Sequence, residues 1–365
     1  MKTNKLSIVF LAVTLFFFAA TTHAQVVLSP VFNQLRLEAR ADFDYQHLND
    51  SGLVSNPYGF HGKYFNFVIS GNLSDKFSYF FRQRIIANAG TASLFDNTDF
   101  LYLNYNHNKN WMFRLGKDAL AVGGFEYDAA PIDVLFSTNY WDNFYCFQIA
   151  ASAAFKSNDG NQMLLAQVAN SPYVHFGGEP WNAGLLAYGL FWSGTFGHFH
   201  TLYSANLFER SDNHHMGYIA LGHKLTYDRW DIYVDLIHHS LTTDDWGKNF
   251  AIVSCLNFLV ADDLNIFIKG GYEQNHSDAD YINLGGTTSL DCLIEAGHSY
   301  ATYGLGFEYK PKVCKDVRIH GYVANRNVRV NDANGVLVDY ADRLTANVGI
   351  TWHMNIHRMF KERGL

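Results

Sequence analysis

Between positions 35 and 45 the chain alternates without a break. Leu35, Leu37, Ala39, Ala41, Phe43 and Tyr45 fall on one face of an extended segment, and Arg36, Glu38, Arg40, Asp42 and Asp44 on the other. Successive side chains of a strand point to opposite sides, so the segment carries one apolar and one charged surface. A half-buried strand of a soluble sheet alternates in the same way, but eleven residues also match a tilted strand that crosses a bilayer. The rhythm recurs along the sequence. We read sixteen strands, at 35–45, 64–73, 77–86, 99–106, 111–117, 143–155, 162–170, 184–195, 199–208, 217–227, 230–240, 249–259, 264–273, 300–309, 317–326 and 343–354.

The connections alternate too. Short turns at 74–76, 107–109, 228–229 and 262–263 belong to one rim, and longer links at 47–59, 118–140, 171–182, 274–299 and 327–342 to the other. Proline cannot donate to a sheet ladder, and a closed barrel has no edge to hide it. All six prolines (Pro30, Pro57, Pro131, Pro172, Pro180 and Pro311) fall before the first strand or in connections. These patterns predict an all-β fold: a transmembrane antiparallel β-barrel of sixteen strands with short periplasmic turns and longer outer loops.

Composition agrees. Aromatic residues make up 16% of the chain, and no apolar run after the first twenty or so residues is long enough for a spanning helix, which needs about 20 residues. Lys2 and Lys5 precede an apolar stretch at 7–20 that ends in small residues at Thr22 and Ala24, so 1–24 reads as a signal peptide and 25–365 as the barrel domain. An uncleaved N-terminal anchor is the alternative. Removing Lys2 and Lys5 from the 27 basic residues leaves 25 against 34 acidic ones, a net of −9, which argues against a nucleic-acid partner. Cys146, Cys255, Cys292 and Cys314 lack C-x-x-C spacing, and the strand pattern sets Cys292 and Cys314 at opposite ends of the barrel. No disulfide framework, metal site or cofactor is expected.

What such a barrel does depends on its interior. A basic side chain facing lipid at the midplane costs about 2–4 kcal/mol, so charged residues opposite the apolar face should point to water. The basic pore-lining candidates are Arg36, Arg40, Arg82, Arg84, Arg114, Lys117 and Arg318, with Lys224, Lys269 and Arg326 on equivalent faces. Glu38, Asp42, Asp44, Asp231 and Asp235 are their acidic counterparts, so the wall is mixed in sign. Such charges either filter ions or hold neighbouring strands in register. The link 118–140 contains Gly123-Gly124 and the apolar residues Val122, Phe125, Ile132, Val134, Leu135 and Phe136. Folding into the barrel as a constriction would shelter them, as would burial at a subunit contact. The link also carries Asp118, Glu126, Asp128 and Asp133 and no Lys or Arg, so an inward fold brings acids to the narrowest region.

His198 and His200 share a strand face without a Cys or carboxylate cluster, which suits an interfacial pair better than a metal site. His238, His239 and Ser240 near the outer rim are the material for an enzyme of lipase or protease type, with no third partner in the sequence. A structural barrel with a filled lumen would share every signal above. The preferred reading is a passive pore for small hydrophilic solutes or ions, with outer-membrane lipid around it. Asn347, Gly349, Trp352 and Met354 in the last strand resemble the C-terminal signal engaged by barrel assembly machinery, with Met in place of the final aromatic.

Three stretches, 66–84 (NFVISGNLSDKFSYFFRQR), 99–117 (DFLYLNYNHNKNWMFRLGK) and 163–172 (MLLAQVANSP), resemble the phosphate-selective porin O and P family, especially its Bacteroidetes-type members. Gly116-Lys117 followed by Gly124-Phe125-Glu126 is the most specific part of the likeness. The resemblance implies a sixteen-stranded homotrimeric pore constricted by its third outer loop. It also implies a ladder of Arg and Lys for the anion, and here the acidic link departs from the family. Weak selectivity, with at most a slight anion preference, is the expectation.

Overall fold

A computed structural model describes residues 32–50, 52–85, 95–172, 184–209, 215–240, 247–276, 293–332, 335–356 and 358. The segment 1–24 expected as a signal peptide and Cys292 lie outside the described residues. Within them the chain forms β1 (Gln34–Asp50), β2 (Leu53–Ser55), β3 (Tyr58–Asn72), β4 (Phe77–Arg84), β5 (Thr98–Asn106), β6 (Trp111–Ala119), β7 (Phe147–Lys156), β8 (Gln162–Asn170) and β9 (Leu186–Phe196). The second half adds β10 (Phe199–Glu209), β11 (His215–Thr226), β12 (Trp230–Ser240), β13 (Asn249–Ala261), β14 (Leu264–Asn275), β15 (His298–Tyr309), β16 (Val317–Asn331) and β17 (Leu337–Asn355). Two short helices, α1 (Phe125–Asp128) and α2 (Asn139–Asn143), interrupt the link between β6 and β7.

All strands belong to one sheet. β2 is a three-residue return paired with the end of β1, and the other sixteen strands form the wall. Sequence neighbours pair antiparallel, and β1 pairs both with β3 and with β17, from Arg36 opposite Asn355 to Asp50 opposite Ala341. That seam closes the sheet and leaves no edge unpaired, as a wall in lipid requires.

Each of the sixteen expected strands is present. Three readings are corrected at their ends, the first being the connection expected at 47–59, which is mostly strand because β1 runs to Asp50, β2 follows and β3 starts at Tyr58. The segment expected as strand from 143 begins only at Phe147, because the residues before it turn into α2 and are held inside the barrel. The connection expected at 327–342 is mostly strand, with β16 running to Asn331 and β17 starting at Leu337, so the wall stands taller beside the seam.

Alternation sorts the side chains as the sequence demanded. Leu101, Leu115, Leu190, Ile252, Ile268 and Leu305 lie exposed on the outside. Arg40, Asp42, Asp235, Glu273 and His320 are buried within. Near the short turns, Phe77 packs on Tyr105 at 5.0 Å between ring centroids, Trp111 on Phe155 at 5.2 Å and Tyr227 on Trp230 at 4.6 Å. Rings that are apolar in body and polar at the tip suit the level where hydrocarbon meets headgroups. Among the described residues no helix is long and apolar enough to cross a membrane.

Candidate functional site: the barrel lumen

The link between β6 and β7 leaves the rim and enters the barrel. Val122, Ile132, Val134, Leu135, Tyr140 and Phe144 are all buried. Water is thereby kept from a set of side chains that would otherwise lie on a solvated loop.

Its first limb lies flat on the wall. Ala121 donates its N–H to Gln167 Oε1 at 2.7 Å, Gly123 to Ser204 Oγ at 2.8 Å and Gly124 to the Leu202 carbonyl at 3.1 Å. A Cβ at Gly123 would sit 2.5 Å from the Leu202 oxygen, so only glycine permits this approach. Gly124 has φ of 100°, the left-handed region, at the entry to α1. Beyond it, the Asp235 carboxylate on β12 accepts the N–H groups of Phe125 and Glu126, each at 2.8 Å. Gly222 stands opposite Asp235 on β11, and a Cβ there would meet Gly124 Cα at 2.9 Å. The wall is thinned where the loop lies against it.

At the tip the wall holds carbonyls. Arg40 donates to Ile132 O at 3.2 Å and Val134 O at 2.7 Å while its Nε and Nη2 engage Asp42. Asp42 accepts in addition from His320 at 3.0 Å. Arg318 reaches Ile132 O, Asp133 at 2.8 Å and Glu308 at 2.9 Å. On the return limb, Lys269 donates to Phe136 O and pairs with Glu126, both at 2.7 Å. Glu273 accepts from the N–H of Asn139 at 3.1 Å and of Tyr140 at 2.9 Å. Arg326 donates to Ser137 O at 2.6 Å, and the Tyr140 hydroxyl meets His239.

The loop is therefore tied to β8, β10, β12, β14, β16 and β1, and the arginines of β4 and β6 take their partners elsewhere. Arg82 and Arg84 share Asp99, at 2.9 and 2.8 Å, and Arg82 lies over the Phe100 ring at 4.5 Å. Arg114 pairs with Asp118 at 2.7 Å and stacks on Tyr102 at 4.1 Å. Arg36 pairs with Glu38 at 2.7 Å. Arg36, Arg84 and Arg114 thus stand on the wall away from these loop anchors, with Arg82 buried beside Arg84.

The remaining candidates are placed differently. Arg40, Arg318 and Glu126 are buried and spent on the loop or its wall. Lys117 stands in register with Leu101 and Ile149, on the face opposite Arg114, and its ammonium donates to the Phe95 carbonyl at 2.7 Å. Asp133 pairs with Arg318, Asp118 with Arg114 and Glu126 with Lys269, which leaves Asp128, exposed on the loop, as the acid of the 118–140 link without an ion pair among the described residues. Confinement in the lumen partly desolvates its carboxyl and raises it above the usual range, against the pull of Lys224. His238 and His239 alternate across β12, with His239 buried against Tyr140 and His238 bonded to the Asn249 carbonyl on its other face. Asp235, Glu273, Gln167 and Ser204 were not expected to anchor the loop. Lumen-facing glycines such as Gly222 were the signal for a backbone pressed against the wall.

A closed sixteen-stranded wall with a loop tied inside its lumen is the architecture of an outer-membrane porin. Residues 34–179 match the model of the family "Phosphate-selective porin O and P". Among solved structures, an anion-selective porin from Comamonas acidovorans is 10% identical over 87% of this chain and 98% of that one, with a TM-score of 0.60. The outer membrane channel DcaP of Acinetobacter baumannii is 11% identical over 88% and 96%, with a TM-score of 0.57. Pseudomonas putida OprB is 11% identical over 90% and 95%, with a TM-score of 0.56. At these identities the likeness is one of fold. No curated protein matches the chain.

Proposed function

We propose that the chain is an outer-membrane channel through which small hydrophilic solutes and ions diffuse, with the loop 118–140 as its constriction. The observation that carries this reading is the inward loop, tied to the wall by its anchors while Arg36, Arg84 and Arg114 stand away from them. Pairing leaves little net field, so selectivity is weak: Asp99 offsets one of its two arginines, Asp118 offsets Arg114, and the loop adds Asp128, which has no ion pair among the described residues. Export by a cleaved signal peptide at 1–24, insertion by barrel assembly machinery and association as a homotrimer complete the proposal.

The test is planar-bilayer electrophysiology on purified protein. Discrete ion-conducting steps are expected, with a reversal potential near zero under a salt gradient. Absence of conducting events would sink the channel, and strong anion preference would sink the selectivity argument. Against an enzyme at the outer rim, His238 and His239 point to opposite faces of β12 and cannot serve one site.

A further inference from the structure

We propose that a cavity above the loop tip is a docking station for small organic carboxylates that carry an apolar body. The inference rests on the channel reading and names a solute class for it. The cavity, about 260 Å³, lies between the return limb of the loop and the wall near the seam, where Tyr64, Trp141, Arg326, Arg343 and Lys63 face it. The loop lines it with Val134, Leu135, Phe136 and Trp141, and also with Ser137 and Asp142.

The argument begins with a like-charged pair. Arg326 on β16 and Arg343 on β17 stand directly opposite in register, an arrangement that repels unless each guanidinium is neutralised. Arg326 is fully engaged: it donates to Thr302 Oγ1, Asn139 Oδ1, Ser137 O and Asp142. Arg343 is half-buried and makes no hydrogen bond or ion pair among the described residues, and neither does the exposed Lys63 across the cavity. A planar fork of donors without an acceptor, beside a second cation, is a receptor for a planar anion.

The rest of the lining selects among anions. Asp44 and Asp142 border the same space, and they oppose a compact, multiply charged oxyanion more than a singly charged one. The Leu135, Phe136, Trp141 and Tyr322 side of this mixed lining offers such an oxyanion nothing, whereas it can pack on the ring of an organic acid. A dry cavity of about 150 Å³ already holds a benzene ring, so the space here takes a ring together with its carboxylate.

Benzoate is the probe. Calorimetry on the detergent-solubilised protein should show binding with a dissociation constant of about 1 mM. Added to a bilayer, benzoate should reduce the chloride current over the same concentration range. Arg343→Gln should weaken both effects about tenfold, the loss expected for one charge-assisted pair. Lys63→Gln, at an exposed position that barrel formation tolerates, should weaken them by a smaller factor and carries the test if the first variant does not assemble. Benzyl alcohol and inorganic phosphate should bind far more weakly than benzoate. The proposal is overturned if benzoate gives no heat, if both variants bind it as the parent does, or if phosphate binds equally well. Binding without any ion current would instead retain the station and remove the channel.

Discussion

Two kinds of charged residue share the lumen, and they answer mutation differently. Arg40 is wholly buried, between Asp42 and two loop carbonyls. Arg40→Ala would strand the Asp42 carboxylate beside His320, a loss of about 3–5 kcal/mol for a broken buried pair. Arg36 is partly open to water, and its partner Glu38, though buried, keeps Asn66 and His353 beside it, so Arg36→Ala should cost clearly less than Arg40→Ala. Thermal unfolding followed by electrophoretic mobility separates the two, and equal shifts would refute the distinction. Asp128 is a third case, being exposed on the loop with its carboxyl raised by the confining wall. A raised acid takes up its proton sooner as pH falls, and protonation removes a negative charge from the constriction. The reversal potential should therefore drift toward anion preference as the pH is lowered, beginning above the range of an ordinary carboxylate, and Asp128→Asn should remove the drift. A drift of the same size in the variant would assign it to another group.

Among elements, the loop depends on the surface that receives it. At Gly123 an added methyl would meet the Leu202 oxygen at 2.5 Å, whereas at Gly59 there is open space. Gly123→Ala should therefore lift the first limb and enlarge the single-channel current, and Gly59→Ala should leave it unchanged. An unaltered trace for Gly123→Ala would mean that the limb does not set the aperture. The same contrast explains what could be read from sequence. Strand alternation is local, and a segment such as 162–170, whose neighbours are lipid and wall, matched its observed bounds. The apolar residues Val122 and Ile132 announced that the loop must be sheltered. Its route was hidden, because that route is fixed by pairs such as Phe125 with Asp235, 110 positions apart, and Arg318 with Ile132, 186 apart. Lys117 was misplaced for a related reason: the carbonyl of Phe95, 22 positions earlier, gives its ammonium a destination outside the lumen-facing row.

For the molecule as a whole, the distribution of those anchors fixes an order of events. Ser204, Asp235, Lys269, Glu273, Arg318 and Arg326 all follow the loop in the chain, and Arg40 closes the seam with β17, the last strand. Contacts of such long separation form late, once the intervening chain is in place. During refolding into lipid vesicles, the compact electrophoretic form should consequently appear before the 118–140 segment becomes resistant to protease. Simultaneous protection would contradict this sequence. A newly inserted molecule would thus pass through a stage with its bore unobstructed, a brief leak that the cell must tolerate each time a copy matures.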